Sequence, residues 1–298
     1  MWLKCYFSRM KTLLLTTLLS LTTSVSALDF FQYPEDRTYT ETDQGYTQYG
    51  APSLHHTGKY ALTFDDGPHP TRTAKILDTL KRYNVKATFL VITSQINNST
   101  FPLIKRMLDE GHLVGSHGKM HDNSNNLTRE QFKSRVKQSF VELAGWYKKA
   151  GYVLDKPFYR YPYAAYGKAP GYHHMNVLKE ISQELMGSNC IQFAFWDHDS
   201  GDWIPGMTGP EVLTNFKATN EGGAFTTYKT VRINGKLTQI KFATTYDAVS
   251  GGVVLQHDIQ KSTEDGLPLV LQYFKDNNID VVRLDDVEEF KVTKSCKL

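Results

Sequence analysis

Strand-like and helix-like patterns alternate along most of this chain, and that alternation limits the possible folds most strongly. Seven apolar or β-branched runs recur from residue 59 onward, and helical patterns separate most of them. Parallel strands need such crossover helices, so the alternation predicts an α/β fold with a parallel sheet, open or closed into a barrel. The predicted strands are 59–64, 87–92, 112–117, 158–162, 191–197, 252–257 and 279–284. The predicted helices are 73–83, 101–110, 128–149 and 263–276.

One segment between the fifth and sixth predicted strands departs from this alternation. Residues 228–233 and 236–242 are β-rich, and Asn234-Gly235 joins them. Asn-Gly is the preferred two-residue turn of a β-hairpin. We therefore predict a hairpin insertion over about residues 218–250, on the rim of the sheet. A substrate-binding flap and a decoration without function are both compatible with that position.

The first 27 residues have the pattern of an export signal. A basic head precedes a mostly apolar stretch over residues 13–25, and small residues at 25–27 fit a cleavage site. The apolar stretch is shorter than the about 20 residues of a membrane span, which argues against a retained anchor. We expect an exported protein, periplasmic or secreted, that makes no membrane contact after cleavage. We expect an extension over 28–57, one domain over 58–290 and a tail over 291–298.

Cleavage would also change the charge balance. Lys4, Arg9 and Lys11 would leave with the signal, so the 34 basic residues would fall to 31, equal to the 31 acidic residues. A chain near neutrality gives no support for nucleic acid or an anionic membrane as a partner. Cys190 and Cys296 would remain, and in an oxidising compartment they could pair or stay free.

Carboxylates and histidines lie at the ends of two predicted strands. Asp65 and Asp66 end the first strand before a Gly-Pro turn, and adjacent side chains there point in different directions. His117 and His121 follow the third strand with the i, i+4 spacing of paired zinc ligands. With Asp66 they would form a His₂-carboxylate set that leaves a coordination position open, as catalytic sites do. Separately, a simple turn and a solvated loop would explain the two motifs.

Three further segments carry polar residues at predicted strand ends. Arg160 begins Arg-Tyr-Pro-Tyr, and a buried guanidinium needs a carboxylate partner, for which Asp65 is the candidate. An acidic segment covers residues 196–203. His257 ends the sixth strand and has the form of a catalytic imidazole held in one tautomer by a carboxylate. An ordinary ion pair, an acidic loop and a core histidine are the alternatives.

Taken together and in order, the five segments resemble those of the polysaccharide deacetylases of carbohydrate esterase family four, the NodB-homology domain. The resemblance covers about residues 59–284. It implies a distorted (β/α) barrel with about seven strands and a metal-dependent hydrolase that removes N-acetyl groups from a cell-wall polysaccharide. Peptidoglycan amino sugars are the first expected substrate, followed by chitin or chito-oligosaccharides and then O-acetyl xylan. Zinc suits the ligand set best, with cobalt or nickel as alternatives.

The resemblance also implies a role for each matching residue. It assigns Asp65 as the catalytic base, His257 as the general acid, Arg160 as the residue that orients the base, Asp199 as the residue that tunes the acid, Asp66, His117 and His121 as metal ligands, the Tyr163 N–H as an oxyanion donor, and Trp203 and Leu255 as walls of the acetyl pocket. Gly118 stands where the family usually has Ser or Thr, and Ala164 where it usually has Gly. We therefore expect altered support of the histidine loop and a different rim.

Two other classes of function remain open at this stage. A glycan-binding protein could keep the fold without catalysis, although the complete ligand, base and acid set argues against that. An intracellular amidohydrolase acting on a small molecule would require the predicted export signal to be absent.

Overall fold

Residues 50–165, 173–291 and 296–298 are described by a computed structural model. The predicted export signal and residues 28–49 of the predicted extension lie outside them. The strands are β1 (Lys59–Asp65), β2 (Thr88–Val91), β3 (Leu113–Ser116), β4 (Phe158–Tyr159), β5 (Gln192–Phe193), β6 (His198–Asp199), β7 (Gly223–Ile233), β8 (Lys236–Tyr246), β9 (Gly252–His257) and β10 (Asp280–Val282). The helices are α1 (Arg72–Arg82), α2 (Phe101–Asp109), α3 (Arg129–Ala150), α4 (His173–Met186), α5 (Gly209–Glu221) and α6 (Lys261–Asp276).

An eight-stranded parallel sheet forms the centre of the molecule. Its order is β5-β4-β3-β2-β1-β9-β6, and β10 pairs with the first half of β1. Every residue of β1 except Lys59 is buried, as expected for a parallel strand covered on both faces. The predicted α/β class and distorted barrel are confirmed. The sheet has one strand more than the seven predicted. This extra strand, β6, has only two residues and lies in the segment that the sequence marked as an acidic loop.

Sequence signals predicted four of the six helices in the described residues. The predicted capping box at Thr128 is present, since its side chain accepts from the Gln131 N–H while the Gln131 side chain accepts from the Thr128 N–H. Helices α4 and α5 were not predicted. Helix α5 nevertheless has its own capping box at Thr208 and Glu211, a signal present in the sequence. Within the described ranges, every helix is too short or too polar to cross a bilayer.

The predicted hairpin is present and longer than expected. Strands β7 and β8 pair antiparallel from Gly223 with Tyr246 to Ile233 with Lys236. Asn234 and Gly235 both have positive φ, 49° and 79°, which a two-residue type I′ turn requires.

The two cysteines are paired. A disulfide joins Cys190, just before β5, to Cys296 near the end of the chain. The Leu298 N–H also donates to the Leu154 carbonyl at 3.0 Å. The described part of the C-terminal tail is therefore attached to the core by a covalent bond and a hydrogen bond.

Candidate metal and catalytic centre

The parallel sheet brings the polar strand ends to one edge. Asp65 at the end of β1 is aligned with His257 at the end of β9. Ser116 on β3 is aligned with Tyr159 on β4, and the next residues along the two strands are His117 and Arg160. The carboxyl ends of parallel strands form the site-bearing face in α/β folds. Residues far apart in the sequence therefore meet as the pattern of strands predicted.

Asp66, His117 and His121 converge as a candidate metal site, with their ligand atoms all within 4.8 Å of one another. The Asp66 Oδ1 atom lies 3.4 Å from His117 Nε2 and 3.2 Å from His121 Nε2. That oxygen is buried and has no hydrogen-bond donor among the described residues. A buried carboxylate oxygen without a partner is costly. The orphaned oxygen and two imidazole nitrogens fit a divalent cation such as zinc.

His117 is held in the form that a metal requires. Its Nδ1–H donates to the Arg160 carbonyl at 2.9 Å, so the lone pair for a metal is on Nε2. Burial lowers the pKa of His117 to about 3, and the neighbouring His121 adds to the effect while Asp66 opposes it. His117 is therefore neutral at pH 7, as a ligand must be.

Three residues around this site have strained backbones. Asp66, His121 and Tyr163 have φ values of 75°, 51° and 60°, all in the left-handed region. Such conformations cost about 1–3 kcal/mol each and concentrate at functional sites. The Tyr163 ring, 66% exposed, packs against the His121 ring with centroids 4.5 Å apart. The chain thus maintains costly local geometry at three of the predicted site residues.

Asp65 has the partner that the sequence suggested. Arg160 is fully buried and donates from Nη1 to Asp65 Oδ1 at 2.8 Å and to Thr63 Oγ1 at 2.7 Å. It also donates to the carbonyls of Ala194 and Phe195, which fix the guanidinium plane. Burial raises the pKa of the Asp65 carboxyl, and the Arg160 charge opposes that rise. The other oxygen, Oδ2, lies 3.8 Å from His117 Nε2, so it borders the candidate metal site.

His257 is paired with a carboxylate as predicted, but that carboxylate belongs to Asp202 and not to Asp199. His257 Nδ1 lies 2.8 Å from Asp202 Oδ1, and the His257 N–H donates to Asp202 Oδ2 at 2.6 Å. Burial works against a charged imidazole, but Asp202, with help from Asp65 and Asp66, outweighs it and raises the pKa of His257 to about 10. His257 is therefore protonated at neutral pH, with Nε2–H available as a donor.

Asp199, which the resemblance assigned to tune the acid, makes no hydrogen bond to His257 within the described part of the chain, and that role stays a prediction. Asp199 accepts from the Trp203 indole N–H at 3.0 and 3.1 Å and from the Gly201 N–H at 2.8 Å. The physical reason is a turn at Gly201, whose φ of 73° redirects the chain after β6 so that Asp202 reaches the end of β9. Asp202 is the residue that the sequence reasoning missed, although it stood in the acidic segment.

The remaining predicted residues lie near this centre. Trp203 is half-buried, next to Asp202 in the chain, and its indole is oriented by Asp199. Leu255 is 6% exposed on β9, aligned with Asp199. Their roles as walls of an acetyl pocket, and that of the Tyr163 N–H as an oxyanion donor, stay predictions.

Gly118 does not leave the histidine loop without hydroxyl support. The Gly118 N–H donates to Ser116 Oγ at 3.1 Å, so a serine two residues earlier contacts this loop. Gly118 itself has a φ of 82°, a conformation that other residues adopt at a cost.

Comparisons with known proteins identify relatives of this chain. The chain is 31% identical over 232 residues to the peptidoglycan-N-acetylglucosamine deacetylase PgdA of Listeria monocytogenes, covering 77% of this chain and 38% of that protein. The chain thus matches well under half the length of this curated relative. A crystal structure of the Bc1960 peptidoglycan N-acetylglucosamine deacetylase superposes with a TM-score of 0.58, at 23% identity, over 83% of this chain and 93% of that one.

A second solved structure has the same fold. The family 4 acetyl xylan esterase from Clostridium thermocellum, in complex with a cobalt ion, superposes with a TM-score of 0.54, at 24% identity, over 77% of this chain and 89% of that one. Residues 55–176, which include the candidate metal ligands and Arg160, match the family model described as polysaccharide deacetylase. The chain therefore carries a polysaccharide deacetylase domain, matched over residues 55–176.

Proposed function

We propose that this chain is a metal-dependent hydrolase that removes N-acetyl groups from a cell-wall polysaccharide and releases acetate. The observation that carries the proposal is that three groups of functional residues converge at one edge of the sheet. These are a His₂-Asp ligand set, a carboxylate oriented by a buried arginine, and a protonated imidazole held by a second carboxylate.

The residues divide the chemistry of amide hydrolysis among them. Asp66, His117 and His121 would hold a divalent cation, which supplies Lewis-acid polarisation of the acetyl carbonyl and of the hydrolytic water. Asp65 accepts the proton of that water through Oδ2, because Oδ1 is bound to Arg160. As the C–N bond breaks, His257 donates the proton on Nε2 to the departing amine, since Nδ1 is bound to Asp202.

Two other groups complete the proposed site. The Tyr163 N–H stabilises the oxyanion that forms at the acetyl carbonyl. Trp203 and Leu255 enclose the acetyl methyl group. The products are acetate and a free amine on the sugar, so that one water molecule is consumed for each acetyl group removed.

The proposed substrate is peptidoglycan, at N-acetylglucosamine or N-acetylmuramic acid. Support comes from the name of the 31% identical relative, which acts on peptidoglycan. Chitin or chito-oligosaccharides are the second candidate, and acetylated xylan is the third, since one solved neighbour is an acetyl xylan esterase. Zinc is the proposed metal, with cobalt or nickel as alternatives. The proposed location is the periplasm or the cell exterior, where such polymers lie.

Mass spectrometry on defined substrates tests the proposal. Muropeptides, N-acetylglucosamine oligomers and acetylated xylan are each incubated with zinc-loaded protein and with the Asp65→Asn variant. Loss of acetyl groups from muropeptides by the wild type alone is the expected result. If protein with stoichiometric zinc binds these glycans but releases no acetate, the chain is a glycan-binding protein and the hydrolase proposal fails.

A further inference from the structure

Helix α5 joins the hairpin to the segment that carries Asp202, the carboxylate that binds the proposed acid His257. Asn215 on α5 is buried and donates from Nδ2 to the Ser200 carbonyl at 2.9 Å and to the Thr226 carbonyl at 2.8 Å. Its Oδ1 accepts from the Thr226 N–H at 2.7 Å. Lys241 on β8 also binds Glu211 on α5 at 2.7 Å. These contacts fix the base of the hairpin against residues 199–203.

One aromatic ring extends the site onto the hairpin. The Tyr228 ring contacts the Trp203 ring, with centroids 4.7 Å apart and planes at 68°. Trp203 follows Asp202, which holds His257. Tyr228 remains 38% exposed, so much of its ring is open to a ligand. Sugars bind well to such rings because their C–H faces pack on an aromatic surface while the phenol offers a hydrogen bond.

The same face of the hairpin continues with groups that bind sugar hydroxyls and acids. Side chains two apart on a strand share a face, so Thr230 and Arg232 lie in line with Tyr228. Directly across, Gln239 and Leu237 are aligned with them. All four are exposed. This face therefore offers a hydroxyl, an amide and a guanidinium beyond the aromatic ring.

The hairpin also carries a net positive charge. Between residues 223 and 246 the sequence has four basic residues, Lys229, Arg232, Lys236 and Lys241, and no acidic residue. Only Lys241 forms an ion pair with a carboxylate among the described residues. A cationic arm attracts a polymer that carries acids and gains little from a neutral one.

We infer that the face of the hairpin that carries Tyr228 and Arg232 binds the glycan next to the reacting sugar and selects an acid-bearing polysaccharide. Tyr228 stacks on a sugar ring, and Arg232 pairs with a carboxylate of the polymer. The choice of a glycan as the ligand rests on the proposed function. Peptidoglycan carries such carboxylates, whereas chitin and neutral xylan do not.

Binding measurements test the inference without relying on catalysis. Full-length protein is sedimented with insoluble peptidoglycan and, separately, with chitin. Tyr228→Ala should weaken binding to peptidoglycan about two- to tenfold, the range expected for one aromatic contact, and Tyr228→Phe should restore most of it. Phe242→Ala is the matched control, because Phe242 is 36% exposed on the opposite face of the hairpin.

A second pair of variants tests the charge. Arg232→Gln should weaken binding to peptidoglycan more than Lys229→Gln, which removes the same charge from the opposite face. The inference would be overturned if Tyr228→Ala weakened binding no more than Phe242→Ala, and Arg232→Gln no more than Lys229→Gln. It would also be overturned if the wild type did not bind peptidoglycan, or were retained only on anionic lipid vesicles. If binding depends on Tyr228 but no acetate is released, the proposed function fails while the binding face stands.

Discussion

Replacing Asp202 by Asn should move the alkaline limit of activity to lower pH. His257 must be protonated to donate to the leaving amine, so activity falls as the pH rises through its pKa. Burial lowers that pKa, and the Asp202 carboxylate at 2.8 Å is the main group that raises it to about 10. Asn keeps the shape and an acceptor oxygen but removes the charge.

The size of the shift follows from the geometry. An opposite charge within hydrogen-bond distance moves a pKa by about 1–3 pH units. At about 1.4 kcal/mol per unit, Asp202 stabilises the imidazolium by about 1.4–4 kcal/mol. The alkaline midpoint of kcat/KM should therefore fall by about 1–3 pH units in Asp202→Asn.

The assay is acetate release from a soluble N-acetylglucosamine oligomer across a range of pH, with the metal content checked at each point. Asp199→Asn is the matched control, since Asp199 accepts a hydrogen bond from the Trp203 indole, whereas the hydrogen bond to His257 Nδ1 is made by Asp202. It should leave the alkaline midpoint in place. An unchanged midpoint in Asp202→Asn, or a shift in Asp199→Asn of the same size, would refute the assignment.

Three further predictions concern the ligands, the base and the disulfide. Asp65→Asn should bind zinc stoichiometrically by elemental analysis yet lose at least about a hundredfold in kcat, because an amide cannot accept the proton of water; near-normal turnover would contradict this role. His117→Ala should lose bound zinc on dialysis, and retention of one equivalent would remove His117 from the ligand set. The Cys190→Ser, Cys296→Ser double variant should lose about 3–5 kcal/mol of unfolding free energy in a urea titration, given a sequence separation of 106 residues; a loss below about 1 kcal/mol would show that the tail is held by other contacts.

The main elements of the fold were predictable because their signals are local. Strand β9 matches its predicted bounds, and the Asn-Gly turn of the hairpin lies where the sequence placed it. Strand β6 was missed because His198 and Asp199 lie in a polar segment without the apolar run that marked the other short strands. Helix α5 was missed although its capping box was readable. The length of the hairpin depended on pairing across strands, which no local pattern reports.

The site was predictable where one partner was available and unpredictable where several were. Arg160 pairs with Asp65 as expected, and His117 and His121 converge with Asp66 as the proposed His₂-carboxylate set requires, although their spacing alone also fitted a solvated loop. Near His257, by contrast, the sequence offers more than one carboxylate in a short segment. The left-handed turn at Gly201 decides which of them reaches His257, and the strand pattern alone does not specify that turn.

Anomalous X-ray diffraction from crystals grown with zinc would test the central claim most directly. The account predicts one zinc peak at about 2.0–2.2 Å from Asp66 Oδ1, His117 Nε2 and His121 Nε2. Asp65 should lie beside the zinc and bind Arg160 through only one of its carboxylate oxygens. A zinc peak elsewhere, or imidazoles of His117 and His121 that point away from each other in metal-loaded crystals, would contradict it.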